Sequence, residues 1–442
     1  MGEMKNEGIY DAKTLGTPKM LLLGIQHTFA MFGATILVPI ITGLDIATTL
    51  LMAGLGTLMF HLITKGKVPV FLGSSFAFLG GYAAVAPKLA NGEANKEMLP
   101  YACLGVAVAG LVYVILSGFI KAFGVNKVMK YFPPVVTGPI IISIGLILAP
   151  TAVDNCRENW LIAIVALLTI IICNIFGRGM IKIVPIIIGI AVSYILAIFL
   201  KEVDFSQVAQ ADMLGIPLNK SAFITNAFSD KSLAVTAIIA IVPISLATMM
   251  EHIGDVSAIS ATTGKNFIKD PGIHRTLLGD GLATTFSACF GGPANTTYGE
   301  NTGVLALTKV YDPVVVRIAA GVSIILSFSP KVAALIGTIP SAVIGGVSFI
   351  LYGMISAIGA RNLVENKVDF TNSRNLIIAA IILVSAIGID SISFKIGSVP
   401  VSLSGLAIAA IAGIVLNAVL PGNEYVFEKD GEVEDKSKGF AI

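Results

Sequence analysis

The feature that most constrains this chain is the recurrence, from end to end, of apolar runs of about 17 to 25 residues, each long enough to cross roughly 30 Å of hydrocarbon as a helix. With 55% hydrophobic and 13% charged residues over 442 positions and a mean hydropathy of +0.88, the chain is too apolar for a soluble protein of its length. It belongs in a bilayer. The runs lack two-residue alternation, which disfavours a β-barrel.

Fourteen spans are predicted, at 20–41, 46–64, 69–86, 99–120, 132–151, 159–176, 181–200, 233–252, 275–291, 296–311, 313–330, 340–360, 375–390 and 398–420. An even count puts both termini on one side. Most of the 29 Lys and Arg residues fall there, from Lys5, Lys13 and Lys19 through Lys65/Lys67 and Arg361/Lys367/Arg374 to Lys438. Positive charge is retained in the cytoplasm, so both termini are expected to be cytoplasmic and the protein multi-pass in the inner membrane. Residues 1–19 show no cleavable signal peptide. The tail 422–442 is charged and short of aromatics, the composition of a disordered end. Cys103, Cys156, Cys173 and Cys289 have no metal-ligand spacing and read as small buried hydrophobes. A net charge of +2 without a continuous basic stripe implies no nucleic-acid partner. Trp160 and Tyr101 fall at span ends, the place of interfacial anchors.

The chain looks doubled. "PPVVTGPIIISIGLILA", from Pro133, and "PSAVIGGVSFILYGMISAIGA", from Pro340, share Pro-x-x-Val-x-Gly about half the chain apart. They are spans five and twelve, which run in opposite directions. The expected fold is therefore an all-α integral membrane protein of fourteen transmembrane segments in a 7+7 inverted repeat, the construction of many secondary transporters. Pro133, Pro134 and Gly138, and Pro340, Gly345 and Gly346, are expected to interrupt these helices at matching places.

Two spans are unlike the rest. "PVFLGSSFAFLGGY" (69–82) and "GGPANTTYGENTG" (291–303) are broken by Gly, Ser, Asn and Thr at corresponding positions of the two halves. Such backbone must be buried in protein or line a cavity. Short extended stretches are expected in these broken spans 3 and 10, meeting at mid-membrane with N–H groups aimed at a ligand and Glu300 at the meeting point. The alternative is that the glycines only allow close helix packing. Glu251, in "PISLATMMEHIGDVSA", is a second carboxylate at a depth where charge costs about 2.5 to 3.5 kcal/mol. It is either functional or, with His252 and Asp255, a mark of the helix's cytoplasmic end. His27, about seven residues into the first span, is a candidate proton-handling group or a structural histidine. His61 and His274 are given no role.

Glu300-Asn301-Thr302-Gly303-Val304-Leu305-Ala306-Leu307-Thr308-Lys309 resembles the signature of the nucleobase/ascorbate transporter family, the type two nucleobase:cation symporters. That signature is Gln, Glu or Pro, then Asn-x-Gly, four free positions, Thr, and Arg, Lys or Gly. "QHTFAMFGATILVP", "GSSFAF", "EHIGD" and "NTTYGENTG" are similar to the family's bacterial uracil branch, and the likeness covers nearly the whole chain. It implies a core domain of spans one to four (20–130) and eight to eleven (233–338). Beside it would lie a gate domain of spans five to seven (131–232) and twelve to fourteen (339–421).

The resemblance further implies that Glu251 and Glu300 hydrogen-bond the base. Backbone N–H groups of Phe76 and Gly299 would meet its carbonyls, Ser75, Phe76 and Tyr298 would line the pocket, and Tyr352 would approach from the gate. Proton coupling would fall to Glu251, Glu300, His27 and Asp255; at Asp255 some members have histidine, which leaves the proton route there open. Glu at the first signature position favours uracil over xanthine or urate. No cofactor beyond the coupling proton is expected, and a homodimer is compatible with the layout. The rival readings are a purine or other pyrimidine permease and an anion exchanger or channel. Against the latter, no Lys or Arg falls within 71–82 or 291–305. A membrane enzyme is disfavoured, with no His/Cys cluster and no nucleophile beside a base.

Overall fold

The computed structural model describes residues 8–89, 93–396 and 399–422; the charged tail beyond lies outside them. The first half runs α1 (Thr17–Thr42), α2 (Ile46–Ile63), strand β1 (Leu72–Ser74), α3 (Leu79–Val85), α4 (Leu99–Phe123), α5 (Val125–Met129), α6 (Pro134–Glu158), α7 (Trp160–Phe176), α8 (Met180–Ile183), α9 (Pro185–Phe199) and α10 (Ser206–Gln210). The second runs α11 (Lys231–Ile241), α12 (Ile244–Thr263), α13 (Ile273–Cys289), strand β2 (Asn295–Thr297), α14 (Glu300–Thr308), α15 (Pro313–Ser327), α16 (Pro330–Gly337), α17 (Ser341–Glu365), α18 (Ser373–Gly388), strands β3 (Ser391–Ile396) and β4 (Val399–Ser404), and α19 (Gly405–Val419).

Among the described residues α1, α2, α4, α6, the α11–α12 run and α17 are long and apolar enough to cross a membrane. The pair α15 and α16, bent by 87°, adds a seventh candidate, and α7, α9, α18 and α19 are shorter apolar helices. The protein is mostly helical and multi-pass. Helix starts follow local chemistry: the Asp45 carboxylate accepts from Thr48 N at 2.6 Å, and Asn159 accepts from Leu161 N at 3.0 Å.

Four expectations change. Residues 391–404, "SISFKIGSVPVSLS", form an antiparallel hairpin, β3 with β4, so the all-α description and the start of the last span are corrected. Polar and apolar residues do alternate here, the period of a strand. The helix bearing Glu251 does not end at residue 252 but runs to Thr263; Pro243, with no N–H to donate, separates it from α11. Glu251, His252 and Asp255 therefore do not mark a helix end. Pro133 and Pro340 sit in extended backbone as N-caps, starting α6 and α17 rather than interrupting them. Tyr101 is buried, 2.8 Å from the Ser229 hydroxyl, while Trp160 is exposed.

Two sets of helices pack closely. In one, α13 lies against α4 and α2, and α15 against α2 and α1; in the other, α17 lies against α6 and α7, and α18 against α6 and α19. The α6–α17 contact is backbone on backbone: a Cβ on Gly359 would sit 2.6 Å from Ile142 N, and one on Gly345 2.6 Å from Cys156 N. Small residues allow this approach where hydrocarbon gives no hydrophobic drive to associate.

Candidate functional site

A helix broken within a membrane leaves peptide groups that lipid cannot satisfy. Here the two breaks satisfy each other. β1 and β2, from opposite halves of the chain, run antiparallel with Leu72 opposite Thr297, Gly73 opposite Thr296 and Ser74 opposite Asn295. Ser75 N donates to Ala294 O at 2.9 Å. Surrounding helices supply the rest. The Thr57 hydroxyl accepts from Leu72 N at 2.9 Å, Thr284 Oγ1 donates to Asn295 O at 2.6 Å, and Ser287 Oγ donates to Pro293 O at 2.6 Å. Asn295 Nδ2 in turn donates to Met52 O at 3.0 Å. Tyr298 crosses β1 and donates its hydroxyl to Ser74 O at 3.0 Å. Gly73 makes this possible, since a Cβ there would lie 2.5 Å from Tyr298 Cζ.

After the strands the chain enters α3 and α14, whose starts carry the positive end of each helix dipole; Leu79 N donates to Phe76 O at 3.0 Å and Thr302 N to Gly299 O at 3.1 Å. Phe76 stands just before α3, packed against two apolar clusters, and Gly299 is the N-cap of α14. Ser75 is buried, and among the described residues its Oγ, Asn295 Oδ1 and Thr296 Oγ1 have no hydrogen-bond partner. Buried polar groups in native proteins are nearly always paired, so each of these atoms calls for an explanation.

Helix α12 lies against β2 and α14. Glu251 and Asp255, one turn apart, are both half-buried. The Asp255 carboxylate reaches the break: Thr297 Oγ1 donates to its Oδ2 at 2.9 Å, and a Cβ on Gly299 would lie 2.9 Å from its Oδ1. Gly254 and Gly299 are exposed, and a Cβ on Gly254 or Gly303 would meet nothing within 4 Å. Open space thus runs beside α12 and α14. A separate cavity of about 320 Å³, by Asp45, Lys96 and Asn219, lies at the start of α2, away from these groups.

The structure adds a pair that sequence reading missed. His252 and Asp280 are both fully buried, with Nδ1 and Oδ2 2.8 Å apart. Thr297 Oγ1, 3.4 Å from the same Nδ1, links them to Asp255. The available signal was a lone carboxylate in the apolar "TLLGDGLATTF", which a membrane tolerates only with a partner. His27 is fully buried in α1, which packs against α14. Tyr352 is fully buried in α17, and neither its hydroxyl nor that of Ser348 makes a hydrogen bond of good geometry among the described residues. The side chains of Glu300 and Asn301, at the start of α14, lie outside the described residues. No group of three His, Cys, Asp or Glu suited to a metal is present among the described residues.

Residues 18–393 match a family profile described as a permease family, Xan_ur_permease. The chain is 44% identical over 437 residues to a uracil permease of Bacillus caldolyticus, covering 96% of this chain and 97% of the relative. It is 43% identical over 412 residues to a uracil permease of Bacillus subtilis (strain 168), covering 90% and 91%, and 36% identical over 432 residues to a uracil permease of Escherichia coli (strain K12), covering 94% and 96%. Among solved structures, the transmembrane domain of a cyanobacterium bicarbonate transporter, BicA, has a TM-score of 0.60 at 15% identity, covering 93% of this chain and 99% of that one. SLC26A9 has a TM-score of 0.62 at 11% identity, covering 92% and 66%. At such identities these two likenesses show the fold alone. The match over nearly the whole length and relatives above 40% identity establish that the chain belongs to the Xan_ur_permease family, and is a membrane transporter rather than an enzyme.

Proposed function

We propose that this permease imports uracil across the cytoplasmic membrane together with protons. The observation that carries the reading is the pairing of β1 with β2 beneath Tyr298, with the Asp255 carboxylate of α12 beside Gly299. Uracil is flat and presents N–H donors beside and between carbonyl acceptors, so it needs carboxylate acceptors, backbone donors and an aromatic wall. Glu251 and Glu300 serve as acceptors and the N–H groups of Phe76 and Gly299 as donors. Ser75, Phe76 and Tyr298 line the pocket, with Ser75 Oγ free to bond the base. Tyr352 closes over it from the gate, leaving its buried place in α17 to do so. Protons pass through Glu251, Glu300 and Asp255, with His27 and the His252–Asp280 pair behind them, Thr297 being the link.

The frame for this chemistry is a fourteen-segment, 7+7 inverted repeat with both termini cytoplasmic. Residues 20–130 and 233–338 form the core, and 131–232 and 339–421 the gate. Support comes from the two packed helix sets, from β1 and β2 meeting across the halves, and from the matched N-caps Pro133 and Pro340. The open space beside the later turns of α12 and α14 then faces the cytoplasm, an inward-open state. An anion exchanger on the same fold is the rival, but the broken segments 71–82 and 291–305 carry no Lys or Arg.

Uptake of labelled uracil into proteoliposomes tests the reading. Uptake should rise with an inward proton gradient, collapse with a protonophore, and fall to competition by unlabelled uracil before purines. Uptake driven by sodium and indifferent to the protonophore overturns proton coupling; no uracil uptake overturns the substrate.

A further inference from the structure

We infer that residues 8–15 form a strap that fixes the spacing of the two carboxylate-bearing helices, with Asp312 as its positioning residue, so that substrate affinity depends on a segment remote from the site. The inference rests on the uracil reading above for its substrate.

The strap engages both helices at their far ends. Ile9 pairs in parallel with Val310: Ile9 N donates to Lys309 O and Tyr311 N to Ile9 O, each at 2.7 Å. That holds the end of α14, whose first residue is Glu300. Tyr10 Oη donates to Thr263 O at 2.6 Å, the last residue of α12, which carries Glu251 and Asp255. The Tyr10 ring lies 5.4 Å from that of Tyr311, with Lys265 Nζ 4.5 Å from its centroid. Ala12 is fully buried with Val310 and Val315, and its N–H donates to Asp312 Oδ2 at 2.8 Å. Asp312 uses its other oxygen to cap α15, accepting from Val314 N at 2.9 Å. One carboxylate therefore ties the strap to the α14–α15 junction, and one tyrosine ties it to α12.

Helix α14 is short, and Ala306 and Leu307 on it are exposed, so its position relative to α12 depends on what holds its two ends. At the site end Thr297 and Asp255 make the link; at the other end the strap makes it. A rigid base that must bond one carboxylate on each helix senses small changes in their separation. Coupling of this kind is reciprocal: if the strap favours the binding geometry, bound base must favour the strap by the same factor.

Two variants of the full chain separate the parts. Tyr10→Phe removes one hydroxyl and keeps both ring contacts. Asp312→Asn keeps the α15 cap through Oδ1 but turns an amide donor toward the Ala12 N–H. Each should raise the uracil Kd about fivefold, while Thr14→Ala, on an exposed position of the strap, leaves it unchanged. Without ligand, amide exchange should speed up across 258–264 and 302–311 in both variants. In the parent, uracil should slow exchange at Ile9 and Tyr311, which a merely structural strap would not show. Wild-type Kd and wild-type exchange in Tyr10→Phe overturn the strap whether or not Asp312→Asn folds, as does exchange at Ile9 and Tyr311 that ignores bound uracil. A parent that binds no uracil defeats the substrate reading instead, and the ligand-free exchange then decides the strap alone.

Discussion

The described residues hold two antiparallel two-stranded sheets, and these have little else in common. β3–β4 is a hairpin of neighbours in sequence, with Ile392 and Phe394 48% and 40% exposed, closing the link between α18 and α19 and touching α11 through β4. β1–β2 joins strands from opposite halves, is buried throughout, and is held by the Thr57 and Thr284 hydroxyls of α2 and α13 and by the Thr35 carbonyl of α1, which accepts from Ser74 Oγ. A hairpin satisfies its own backbone. Two broken helices can do so only by meeting, and where they meet their helix starts and polar side chains converge on one place. The local sheet connects; the non-local sheet is where we propose that the substrate binds.

The largest effect is expected where the two sheets are most unlike. Gly73→Val drives a side chain into the Tyr298 ring and should weaken uracil binding about 100-fold, the equivalent of roughly 2.7 kcal/mol. Ile392→Thr in β3, still a strand-forming residue, should change it less than about twofold. Equilibrium binding of labelled uracil to purified protein compares the two, and similar Kd values would erase the distinction. Glu300→Gln sharpens the comparison by changing chemistry and not shape: an acceptor pair becomes a donor and an acceptor. A loss of about 30-fold is expected, a hydrogen bond to a charged group being worth roughly 1.5–3 kcal/mol; wild-type affinity would remove Glu300 from the site.

A further change lies at a helix contact remote from both sheets. Gly345→Leu pushes α17 off the Asn155–Cys156 backbone of α6, so it should slow uptake about tenfold while Kd stays within about twofold. Binding and uptake both like the parent would mean that this contact does not shift during transport. The smallest effect belongs to Lys67, whose ammonium lies 2.6 Å from Asp270 Oδ1 at an exposed surface and holds that carboxyl below the usual range. A lowered carboxylate pKa adds stability above the ordinary Asp value of about 3.9, lost as pH falls through the lowered one. Lys67→Ala should therefore lower Tm by about one degree or less at neutral pH, with the gap closing in acid. A larger shift in a thermal melt would mean that the pair does more than decorate the surface.

What was legible in the sequence follows from where each signal resides. Apolar runs and the Gly/Ser/Asn/Thr interruptions are local, so the long apolar helices and both broken segments could be read directly. The β3–β4 alternation was equally local, but β4 adjoins the apolar α19 and reads with it as one span, 398–420, which leaves β3 between spans. The extent of α12 was hidden because "EHIGDVSAISATT" is polar for a membrane helix, and only its packing against β2 and α14 explains that polarity. His252, Asp280 and Thr297 have no fixed spacing; their link exists only after α12, α13 and β2 come together. The strap was less visible still, since Tyr10 and Ala12 sit in what composition alone treats as a charged terminus.

If uracil binds where the two broken segments meet, and not merely somewhere in the bundle, hydrogen–deuterium exchange of the intact protein with and without saturating uracil will show it. Exchange should slow in peptides covering 72–79 and 295–302, with peptides covering 391–404 unchanged. Protection confined to 391–404, or none at either broken segment while uracil is demonstrably bound, would place the base elsewhere.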